Sequence, residues 1–102
     1  MAVALTISEF KTSLEKSLPE AHWPATLQAM WYDAKGNWQK AHDIVEHMHT
    51  NMGSHIHAYL HRKEGDRFNA GYWYRQAGQP FPSVTLEEES WDIVAIIIAN
   101  EP

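Results

Sequence analysis

The sequence contains no cysteine. That absence removes disulfides, thiolate nucleophiles and cysteine-based zinc sites together. Basic residues are scarce: eight Lys+Arg stand against thirteen Asp+Glu, a formal net charge of −5. Nucleic-acid binding needs a basic footprint, so this balance speaks against it. No long apolar run occurs. The most apolar stretch, Ile93 to Ala99, is far shorter than the roughly 20 residues that cross a bilayer. Met1 to Phe10 has no basic leader, and Glu9 and Lys11 interrupt its apolar residues. The expectation is a cytoplasmic protein with no membrane partner. Serine lacks a Gly-x-Ser-x-Gly setting and no Gly-rich phosphate loop is present, which makes an enzyme the less favoured class.

What is present is apolar and aromatic. The 102 residues are 44% hydrophobic and include five tryptophans, enough for one domain with its own core. The pattern predicts an all-α fold of about six helices and no strand. Thr6 followed by Glu9 has capping-box form and opens a helix to about Leu18, before Pro19. Pro24 opens a second helix that ends at Gly36, and Asn37 caps a third reaching about Met48. Thr50 to Gly53 reads as a turn, with Ser54 capping a fourth helix to Glu64. Asp66 caps a fifth that closes near Gly78. Thr85 with Glu88 opens the last, where Glu87, Glu88 and Glu89 suit the positive end of the helix dipole. This outcome makes residues 1–102 a single domain. Its hairpins are about 24–48 and 54–78, with capping helices at about 7–18 and 86–99.

The chain repeats itself. Lys35 to Ala41 aligns with Glu64 to Ala70 at an offset of 29 residues. Both copies read Gly, a short amide or acid, then Ala five residues after the Gly. Gly permits the reversal, Asn or Asp satisfies orphan N–H groups, and Ala allows close helix approach. These residues resemble the tetratricopeptide class of helical repeats. Ala29 and Ala58 fill the small position seven before the glycine, Ala41 and Ala70 the one five after it, and Tyr74 and Ala77 the following aromatic and small positions. Val45 and Met48 depart from the last two in the first copy, and the offset is shorter than the usual 34 or so. Residues 31–42, 57–66 and 72–78 also resemble a set of short uncharacterised bacterial proteins of similar length. That resemblance implies no activity and assigns no catalytic residue.

Three groups of side chains are candidates for function. The tetratricopeptide resemblance implies a non-catalytic protein- or peptide-binding module, whose groove would be lined by Trp31, Tyr59, Arg62, Trp73, Tyr74 and Arg75. Tyr72, Trp73 and Tyr74 span about 200° of a helix, so one face cannot bury all three. The surplus ring either packs under Phe81 and its flanking prolines or faces a partner. Arg62, Lys63, Arg67 and Arg75 are half of the basic residues and suit an acidic partner, or else pair internally with Glu64, Asp66 and Asp33. Ile93, Ile96 and Ile97 share a face that Val94 and Ile98 extend, an apolar stripe that suits a homodimer. The alternative function is a histidine-cluster metal-binding protein or a metal-dependent enzyme. Six of seven histidines fall between His42 and His61. His57 and His61 share a helix face, with His47 and His49 nearby, a set that suits zinc, nickel or copper. The competing structural reading has His57 and His61 hydrogen-bonding across a hairpin while the others lie at the surface.

Overall fold

The computed structural model describes residues 5–100, and among them every regular element is helical. The six helices are α1 (Ile7–Ser13), α2 (Ala25–Ala34), α3 (Trp38–Val45), α4 (Asn51–Lys63), α5 (Arg67–Ala77) and α6 (Leu86–Asn100). The expected residues at 1–4 and 101–102 lie outside this range.

The repeated turn is reproduced bond for bond. Gly36 and Gly65 take left-handed φ values of 83° and 89°. After each, the next amide reaches back five residues, Asn37 to the Tyr32 carbonyl and Asp66 to that of His61, both at 2.8 Å. Each side chain then caps the following helix: Asn37 Oδ1 accepts from the Lys40 amide and Asp66 Oδ1 from that of Asn69, both at 3.1 Å. A glycine with positive φ and an Asx cap thus satisfy the last carbonyls of one helix and the first amides of the next. Ala29, Ala41, Ala58 and Ala70 are all fully buried.

Three boundaries differ from expectation. Helix α1 has its full capping box but stops at Ser13, not Leu18. The carbonyls at and just past its end are taken by side chains of α2 and its C-cap: Trp31 Nε1 donates to that of Ser13, and Lys35 Nζ to that of Leu14 at 2.7 Å and of Lys16 at 3.1 Å. Helix α3 ends at Val45, short of Met48. Helix α4 begins at Asn51 with Thr50 as its cap, so the residues read as a turn are its first turn. Gly53 is there for contact rather than reversal, since an added Cβ would lie 2.6 Å from Met48 Cβ. At α6, Thr85 Oγ1 accepts from the Glu88 amide and donates to its carboxylate, half of the expected reciprocal box.

Helix α2 pairs with α3 and α4 with α5; α4 also touches α2 and α3, while α6 packs on α2 and α4 and receives α1. The core centres on Phe10, Leu27, Trp31, Ile56, Leu60 and Ile93. Ile93, Val94 and Ile97 of the apolar stripe are consumed by it, and Ile96 remains exposed. No helix among the described residues is long and apolar enough to cross a membrane.

Candidate metal-binding histidine cluster

Helix geometry places His57 and His61 one turn apart on α4, and the α3–α4 packing brings His42 of α3 against them. Ligating atoms of the three lie within 4.8 Å of one another. Nε2 of His42 and Nε2 of His57 face each other at 3.1 Å. His57 is buried and His42 and His61 are partly so. Aromatic plates close the cluster: Trp38 stacks on His42 at 4.9 Å and 10°, and Trp73 stacks on His57 at 4.1 Å and 21°. Trp38 is itself fixed by its N–H to the Leu60 carbonyl at 2.8 Å.

The outer nitrogens face carboxylates. His61 Nδ1 lies 2.7 Å from Glu64 Oε2, which leaves Nε2 as its open atom. His42 Nδ1 is 3.4 Å from Glu46 Oε2, outside hydrogen-bonding geometry, so it is a buried nitrogen with no partner. A carboxylate bonded at the remote nitrogen, as Glu64 is to His61, fixes the tautomer and orientation of a metal-ligating histidine. Burial, with the neighbouring His42 and His61 adding to it, pushes His57 down from 6.5 to about 4. At neutral pH that ring is uncharged and carries the lone pair a metal needs. Bonds of 2.0–2.1 Å to a tetrahedral zinc place ligand nitrogens about 3.3 Å apart, close to the His42–His57 separation. An all-imidazole set suits zinc, nickel and copper, and does not suit magnesium or calcium.

The sequence-based set is therefore corrected at two positions. His47 and His49 are exposed and lie outside the cluster, His47 against Glu46 at 3.3 Å. His42 takes their place. A signal for it exists beside it, because the fully buried Ala41 marks the side of α3 that packs inward.

The proposed groove residues scatter. Trp31, Tyr59 and Tyr74 are buried, so they line no open groove. Tyr59 donates to Asp33 Oδ2 at 2.8 Å, and Lys63 donates to Oδ1 of the same buried carboxylate at 2.8 Å. Tyr74 donates to Glu89 Oε2 at 2.6 Å and packs edge-on against Phe81. Burial, reinforced by the Asp33 and Glu89 carboxylates, pushes both phenols far above their ordinary range and keeps them neutral donors. Arg62 pairs with Glu89 of α6 at 2.8 Å, not with Glu64, Asp66 or Asp33, and its second arm meets the Val84 carbonyl. Burial works to raise Glu89, but bonds from His55, Tyr74 and Arg62 outweigh it and hold the carboxyl below its usual range. Trp73 is the nominated aromatic that meets the histidines, and Arg75 is exposed.

No protein-family model, curated protein or solved structure matches the chain.

Proposed function

We propose that the chain binds one divalent transition-metal ion, Zn²⁺, Ni²⁺ or Cu²⁺, through His42, His57 and His61. One observation carries the reading: two Nε2 atoms converge at 3.1 Å while the remote nitrogens of His42 and His61 sit beside Glu46 and Glu64. Three imidazoles are the protein ligand count of a site whose fourth position goes to water or an exogenous ligand. The metal would tie α3 to α4 at the join between the two hairpins.

Calorimetry and melting of chelator-treated protein with each metal test this. The expected result is saturable uptake of one ion per chain. At a hundredfold excess over the dissociation constant it adds about 2.7 kcal/mol, a shift of several degrees for a domain this size. His42→Ala and His57→Ala should abolish uptake, while a His47→Ala, His49→Ala double variant should keep it. Uptake lost equally in the double variant, or absent from the wild type, overturns the reading.

A second reading has its own observation. Phe68 is 84% exposed, and Tyr72, one turn further along α5, is 44% exposed. Arg75 follows on the same side, and α5 carries two arginines and no acid. This face fits an acidic protein or peptide segment with apolar residues, and Arg75 belongs to it, as does half-buried Trp73 at its edge. Peptide selection on the wild type, repeated on a Phe68→Ser, Arg75→Ser variant of unchanged melting temperature, checks it. Acidic sequences lost with the variant support the surface; peptides indifferent to it exclude the surface.

A further inference from the structure

A cavity of about 620 Å³ opens where α1, α2, α4 and α6 meet, away from the histidines. Its size lies within the range of small-molecule sites, about 300–1,000 Å³. Phe10, Leu14, Met30 and Trp91 form its apolar wall. Its polar wall carries two ammonium groups, Lys11 and Lys63, and two carboxylates, Asp33 and Glu87, with Ser90 beside them.

These groups keep unused bonding capacity. Buried Asp33 accepts one bond at each oxygen, from Tyr59 and Lys63, leaving about half of its lone-pair sites open. Lys63 spends one of its three N–H donors on Asp33. Lys11 lies 4.6 Å above the Trp91 ring and makes no ion pair among the described residues. Ser90 Oγ donates to the Glu87 carbonyl and keeps its own lone pairs.

A ligand with one charge would meet a like charge in this wall whichever sign it carried. Asp33 cannot turn away from a carboxylate ligand, because it is buried and held by two donors. Lys11 and Lys63 both face a ligand that is only an amine. A molecule with an ammonium and a carboxylate a few bonds apart, and an apolar body, meets both signs and the wall together. We propose that this cavity binds a free α-amino acid with a large apolar side chain, its ammonium towards Asp33 and its carboxylate towards Lys11 and Lys63. The site is independent of the metal site.

Titration of ¹⁵N-labelled protein with L-phenylalanine, N-acetyl-L-phenylalanine and L-phenylalanine amide tests the proposal. The expected result is saturable shifts confined to the amides around Leu14, Ala34, Ser90 and Trp91 with the free amino acid. Loss of either charge should weaken binding about tenfold or more, a difference of about 1.4 kcal/mol. Lys11→Gln should weaken it similarly, and Ala34→Trp, at the exposed mouth, should abolish it with the fold intact by melting. Equal binding of either blocked analogue overturns the assignment. So does the absence of saturable shifts up to about 10 mM.

Discussion

His42 and His57 place Nε2 against Nε2 at 3.1 Å, so without metal one ring must donate the proton that the other accepts. Two protonated rings cannot share that contact. Acid therefore attacks the cluster from inside.

His57 has a folded value of about 4 against an ordinary 6.5. Below pH 6.5 the unfolded chain takes up a proton that the folded chain refuses, so stability falls as pH falls from about 6.5 to about 4 and then levels. Melting temperature should drop across that window, and His57→Gln should flatten the slope. Glu89, held below its usual range, acts lower: its stabilisation is present above the unfolded carboxyl value and is lost below it. A melting series in which His57→Gln leaves the slope above pH 5 unchanged would contradict this account.

Arg62 and Glu89 join α4 to α6 through a pair at 2.8 Å whose carboxylate is buried and whose guanidinium is partly so. Removing Arg62 strands a buried carboxylate and removing Glu89 a partly buried guanidinium, a loss of up to about 3–5 kcal/mol. Glu89→Ala should lower the urea midpoint strongly. Combining it with Arg62→Met should cost less than the sum of the two changes. Additive losses would mean that the pair carries no coupling.

Two helical glycines should respond in opposite directions. A Cβ at Gly53 meets Met48 Cβ at 2.6 Å, whereas at Gly71 the nearest atom is the end of the Arg75 side chain at 3.5 Å. Gly71→Ala should stabilise by about 0.5–1 kcal/mol through helix propensity. Gly53→Ala should destabilise by about 1–3 kcal/mol through overpacking. Denaturant midpoints of the two variants check both signs.

The sequence made the local devices visible. Asn37 and Asp66 cap because the side chain, the glycine and the amide it serves lie within a few residues, and the turn needs nothing distant. The all-helical class followed from the same caps. Partners set by packing were not visible in this way. Glu89 reads as one of three acids at a helix start, and only the placement of α6 against α4 makes it the partner of Arg62. His42 joins His57 through a contact between helices, while His47 and His49, closer to His57 along the chain, lie outside. Aromatic type did not distinguish Tyr74, buried with its hydroxyl satisfied, from Tyr72 beside it, which is exposed. Thr50 to Gly53 has turn composition, yet Gly53 answers to a close approach by Met48.

Helix α1 has seven residues, too few to hold helical form alone. Its last carbonyl, at Ser13, is finished by the indole of Trp31 and that of the Leu14 cap by Lys35, groups that exist in place only once α2 is packed. The segment therefore keeps its form only against the rest of the fold and can open at less than the cost of global unfolding. Because Phe10 lies in it and Leu14 caps its end, each opening removes one wall of the 620 Å³ cavity and gives a solute a way in.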